Sequence, residues 1–193
     1  MNGLAIKRED AVLVVIDFQV NMMAAIYGRE KVEEMTSRLI KGCRILEVPI
    51  LVTQQYTKGL GPTTEKIAEA LKGEMPGVLP ETTFLPLEKT TFSCIQEPSF
   101  AKALSKTGRK TVILTGVETH ICVQQTALGL IEAGYNVFGA LDCMSSRTLE
   151  NKEFGQIRMT QSGVVVTGYE SVLFEMLIDA KDAAFKHISK IVK

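Results

Sequence analysis

Four short apolar runs constrain this chain most. Ala11–Ile16 (AVLVVI), Pro49–Thr53 (PILVT), Thr111–Thr115 (TVILT) and Val164–Thr167 (VVVT) have strand length, are rich in β-branched residues and show no polar alternation. Successive strand residues point to opposite faces, so a run that is apolar throughout must be covered on both sides. Thr83–Leu87 and Asn136–Leu141 are weaker strand candidates. Helical patterns lie between the strands. Arg29–Glu47 places Val32, Met35, Leu39, Ile40, Cys43 and Leu46 on one face. Ser99–Lys106, Glu118–Ala133 and Leu149–Ser162 follow, and the tail from Ser171 to Val192 holds one or two more helices. Gly134 stands just past Ala133, where helices commonly end on a glycine. The strand–helix alternation predicts an α/β fold: a doubly wound, mainly parallel sheet with helices on both faces. There is no internal repeat or break in composition, and 193 residues suit a single domain, 1–193.

Charge narrows the partners. Lys plus Arg and Asp plus Glu number 22 each. A balanced chain offers no net field to attract nucleic acid or an anionic membrane, so neither is expected as a partner. No apolar run approaches the ~20 residues that span a bilayer, and MNGLAIKRED lacks the apolar stretch of a signal peptide. Cysteines 43, 94, 122 and 143 form no C-x-x-C pair. They read as reduced thiols in a cytoplasmic setting. With only His120 and His187 as imidazoles, zinc would need an unusual ligand set, and no metal or cofactor is expected.

In a doubly wound sheet, ligands bind beyond the carboxyl ends of the strands. Three polar groups occupy that position. Asp17 closes the first strand in AVLVVIDFQ; an acid there is as readily a turn residue as a proton carrier. Lys89 follows the third strand in LEKTTFS, where a lysine is more often simply solvated. Cys122 lies in the first turn after the fourth strand, in TGVETHICV. A free cysteine is most often a small apolar core residue, which accounts for Cys43 on its helix face. At a helix start, the helix dipole favours a thiolate and free N–H groups can hold an oxyanion. An acid, a cation and a thiol at one sheet edge suit acyl transfer. The thiolate attacks a carbonyl, Asp17 shuttles a proton to the leaving amine, and Lys89 stabilises the thiolate.

At these segments the chain resembles the isochorismatase-like cysteine hydrolases. DFQ, KTTFS and GVETHICV stand in that family's order. TQQYTKGLGPT, LDCMSSR and SGVVVTGYESVLFE resemble the isochorismatase-domain-containing subgroup, and the likeness runs from about Asp10 to Lys186. It implies a three-layer α/β/α sandwich around a six-stranded sheet of order 3-2-1-4-5-6, and a catalytic triad of Asp17, Lys89 and Cys122. It also implies a cis peptide at Val117–Glu118, with the Glu118 and Cys122 N–H groups as oxyanion hole, and a homo-oligomer. Two departures narrow the chemistry. Nicotinamidases of the family carry a D-x-H metal motif after strand two, where this chain has Thr53-Gln54-Gln55-Tyr56. Members that act on isochorismate usually lack the cysteine. The resemblance therefore implies a metal-free cysteine hydrolase of a small amide or related acyl substrate.

Gln19, Tyr56, Phe92 and Thr119, with Arg147, are candidate substrate contacts by position. His120 is read as structural rather than as a base for Cys122, because side chains two residues apart near a helix start diverge. Cys94 and Cys143 are expected after strands, as pocket wall. Two other readings use the same fold: a non-catalytic interaction protein, and a redox-sensing thiol protein in which Cys94 or Cys143 pairs with Cys122. A dinucleotide-binding protein is disfavoured, since no G-x-G-x-x-G follows the first strand.

Overall fold

The computed structural model describes residues 5–72 and 85–193. Strand β1 (Ala11–Ile16) leads to a short helix α1 (Val20–Met23) and then the long α2 (Arg29–Ile45). β2 (Ile50–Gln55), α3 (Thr57–Leu60), α4 (Glu65–Lys72), β3 (Leu87–Lys89) and α5 (Pro98–Lys106) follow. β4 (Thr111–Val117) runs into a π-helical turn, Thr119–Val123, continued by α6 (Gln124–Glu132). β5 (Asn136–Ser145), α7 (Leu149–Gln161), β6 (Val165–Thr167), α8 (Tyr169–Leu177) and α9 (Phe185–Val192) complete the chain. The strands form one sheet of order β3-β2-β1-β4-β5-β6 with every pairing parallel.

The continuous apolar runs are explained by two cores, one on each side of the sheet. β1 is inaccessible along its whole length. Ala11, Leu13 and Val15 face one core with Leu39, Ile40 and Cys43 of α2, Ile67 of α4 and Leu173 of α8. Val12, Val14 and Ile16 face the other, with Phe100 and Leu104 of α5, Val123, Ala127 and Leu130 beside α6, and Met159 of α7. Each such side chain taken from water stabilises the fold by roughly 1.5–3 kcal/mol.

Three boundaries differ from the sequence reading. Thr83 and Phe84, the expected start of the third strand, lie outside the described residues; the strand itself is Leu87–Lys89. β5 runs to Ser145 rather than Leu141, because the Asp142 carboxylate accepts the Tyr169 N–H at 3.0 Å and so satisfies a polar residue inside a strand. The helix expected from Glu118 to Ala133 starts as a π turn, in which the Glu118 carbonyl accepts both the Ile121 N–H (3.1 Å) and the Val123 N–H (3.3 Å). Such wide turns are frequent at functional sites.

Candidate active site

Register brings the site together. Ile16 pairs with Thr53 on one side and Gly116 on the other, so β1, β2 and β4 end level. Gln55 pairs with Lys89. Gly116 is required where it stands: its φ is +137°, and a Cβ there would lie 2.4 Å from the Ile16 carbonyl oxygen. The following peptide, Val117–Glu118, is cis.

Asp17 leaves β1 with φ +56°, the left-handed region that an Asp enters more readily than most residues. Its N–H donates to the Thr53 carbonyl (3.3 Å). Its side chain is wholly buried and engaged at both oxygens: Thr53 Oγ1 donates to Oδ1 at 2.7 Å, and Lys89 Nζ donates to Oδ2 at 2.7 Å. Lys89 also donates to Gln55 Oε1 at 2.7 Å and, more distantly, to the carbonyls of Thr91 and Phe92, both 3.3 Å. Burial is the largest single influence and opposes its charge, but the Asp17 carboxylate, together with the Cys94 and Cys122 sulfurs, holds the ammonium above the ordinary lysine range.

The Cys122 thiol, in the π turn, is buried and faces the Asp17 carboxylate. Its surroundings work against the easy ionisation expected of a thiol at a helix start. Burial first, and the facing Asp17 carboxylate second, push the Cys122 thiol above the usual range, while Lys89 pulls the other way.

The remaining candidates separate. Gln19 is not a pocket residue. It is fully buried, its Nε2 donates to the carbonyls of Gln55 (3.0 Å) and Gly61 (2.7 Å), and its Oε1 accepts the Gln55 N–H (2.7 Å). It ties the segment after β1 to the end of β2. Tyr56 and Phe92 are about half exposed at the same sheet edge. Thr119 is buried, and its Oγ1 has no hydrogen-bond partner among the described residues. Arg147 is turned to Glu118, whose Oε2 accepts both its backbone N–H (2.9 Å) and its Nε (3.0 Å). His120 Nδ1 lies 2.9 Å from Ser146 Oγ. Cys143 stands inside β5, in the core on the other side of the sheet from Cys122, so it is not pocket wall. Cys94 is close to the centre: its Sγ lies 3.8 Å from Thr53 Oγ1, and burial pushes the thiol up to about 11.

Sequence reasoning missed Thr53 and Gln55, which hold Asp17 and Lys89. Their spacing was the available signal, since residues two apart on a strand share a face.

The comparisons agree with this architecture. An isochorismatase domain model matches residues 11–171. Isochorismatase domain-containing protein 2 of Danio rerio is 36% identical, over 94% of this chain and 86% of its own length. The chain spans only 59% and 61% of isochorismatase domain-containing protein 1 from Salmo salar and Danio rerio. Among solved structures, the MAR1 ribonuclease of Caenorhabditis elegans superposes with TM-score 0.86 at 32% identity, covering 97% of this chain and 92% of that one. The Escherichia coli YcaC gene product, an octameric hydrolase of unknown specificity, gives 0.87 at 20% identity over 99% and 90%, a likeness of fold. With the domain match running from the first residue of β1 into α8, the chain belongs to the isochorismatase family.

Proposed function

We propose that the chain is a cysteine hydrolase of a small amide or related acyl substrate, working through a Cys122 thioester. One observation carries the reading: a buried carboxylate, Asp17, accepts from a buried ammonium at 2.7 Å and faces the Cys122 thiol. As Sγ attacks the carbonyl carbon, its proton passes to Asp17. The carbonyl oxygen gains negative charge facing the N–H groups of Glu118 and Cys122. Asp17, now neutral, leaves Lys89 as the counter-charge for the departing sulfur electrons. The tetrahedral adduct collapses, the C–N bond breaks, and Asp17 returns the proton to the leaving nitrogen. A water then gives Asp17 a proton and attacks the thioester, releasing the acid and restoring the thiol.

The balance of 22 acidic and 22 basic side chains supports a small molecule rather than a polyanion as substrate. The four cysteines are all free and buried, which fits a cytoplasmic, reducing setting. No helix among the described residues is long and apolar enough to cross a membrane. Assembly into a homo-oligomer is part of the proposal, in line with the octameric relative of the same fold.

The test is an amide panel read by ammonia release, with Cys122→Ala beside the wild type. Turnover falls by about a thousandfold or more in the variant, while its circular dichroism is unchanged. Full activity in the alanine variant sinks the reading. Peroxide-driven disulfide formation without hydrolysis favours the redox alternative, and inertness in both assays the non-catalytic one.

A further inference from the structure

Thr53, on β2, is none of the three residues that carry the proposed chemistry, yet it grips Asp17 twice. Its backbone carbonyl accepts the Asp17 N–H at 3.3 Å, and its hydroxyl donates to Asp17 Oδ1 at 2.7 Å. The side chain is completely buried, so no water substitutes for that bond. Behind it stands Cys94, with Sγ 3.8 Å from Thr53 Oγ1. A hydroxyl has one hydrogen, and Thr53 gives its own to Asp17. The thiol must therefore be the donor at the rear contact. This orders three groups in one direction: the Cys94 S–H donates to Thr53, and Thr53 donates to Asp17. Cys94 is itself fixed by its backbone N–H, which donates to Thr126 Oγ1 (2.9 Å) on α6, one turn beyond Cys122.

We propose that Thr53 is a positioning residue for the proton transfer: its one-way hydrogen bond holds Asp17 Oδ1, fixes the carboxylate plane between Lys89 and Cys122, and moderates how tightly Asp17 keeps the proton it receives. The inference rests on the reading of Asp17 as proton acceptor for Cys122. The titratable groups facing Asp17 are Lys89 at the end of β3, Cys94 in the segment after it, and Cys122 in the turn after β4. Oδ1 takes its hydrogen bond from the Thr53 hydroxyl. A carboxylate that loses a donor binds a proton more readily, so removing the hydroxyl has a definite sign.

The experiment follows the alkylation rate of Cys122 by iodoacetamide against pH, read by peptide mass spectrometry. Cys43 and Cys143 are fully buried and serve as internal references. On the acid side, the rate falls once the group that accepts the thiol's proton is itself protonated. In Thr53→Val this acid limb moves up by about one to two pH units, the span of one hydrogen bond to a charged group. Thr53→Ser, which keeps the hydroxyl, leaves the limb where the wild type has it. A purely structural role would lower thermal stability in the valine variant without moving the limb. If the valine variant does not fold, Thr53→Ala is read in the same way. A limb that is unmoved or moves to lower pH in the valine or alanine variant, or that moves equally in Thr53→Ser, overturns the proposal. Wild-type Cys122 that shows no acid limb overturns the reading of Asp17 as its base, and this inference with it.

Discussion

Asp17 and Lys89 form an ion pair with no exposed side-chain surface on either partner. Its value is asymmetric. Both charges are desolvated, and their attraction does little more than offset that cost, but removal of one partner leaves a bare buried charge. Lys89→Met is expected to cost about 3–5 kcal/mol in urea unfolding, and Asp17→Asn added to it should recover part of the loss. A methionine variant as stable as the wild type would mean that the pair is not closed from water in solution. The pH dependence has a definite sign. The pair raises Lys89 above its ordinary range, so its contribution is complete below ~10.5 and is lost as pH climbs through the folded-state value. Gln55 bonds both ways, its Oε1 to Lys89 and its Nε2 donating to the Thr90 carbonyl at 2.9 Å, so the lysine is steered as well as neutralised.

The element that matters most beyond the strands is α7. It starts cleanly, with Thr148 Oγ1 accepting the Asn151 N–H at 3.2 Å, a normal N-cap worth about 1 kcal/mol. Glycine at 155 lets the helix lie directly on the turn that carries Cys122. A Cβ at this position would sit 2.9 Å from the backbone of His120. Gly155→Ala must therefore push the helix and turn apart. We expect a loss of about 1–3 kcal/mol in denaturant stability, together with slower alkylation of Cys122. An unchanged alkylation rate would show that the turn keeps its shape without the helix. The segment between β5 and α7 works with it: Arg147 holds the Glu118 carboxylate, Ser146 meets His120, and the Ser146 carbonyl accepts the Tyr27 N–H at 2.9 Å.

At the scale of the whole molecule, both cores share a single sheet, and neither can be lost alone. Urea unfolding followed by circular dichroism and by tyrosine fluorescence should give coincident transitions; separated midpoints would show that the two layers unfold independently. How much of this could be read beforehand depended on the kind of signal. AVLVVI and TVILT announced buried parallel strands because apolar periodicity is local and survives in the sequence. The strand ends were located well enough to bring Asp17, Lys89 and Cys122 to one edge. What stayed hidden depended on three-dimensional surroundings. Gln19 looked like a ligand contact until its amide was found bonded to Gln55 and Gly61. Thr53 looked like a strand end, and the thiol's proton affinity depends on burial that no spacing reveals. The family likeness supplied the strand order, which the alternation of elements alone left open.

Strand β1 has one more consequence. Its six residues face the two cores in turn, all without contact with solvent, and Asp17 is the first position beyond them. No site along that strand can accept a polar side chain without burying it unpaired. The part of the chain that anchors the acid is thus closed to gradual chemical change. Room for change at this sheet edge lies in the segments after β2, β3 and β5, where Tyr56, Phe92 and Arg147 reach solvent, while the foundation beneath the acid stays as it is.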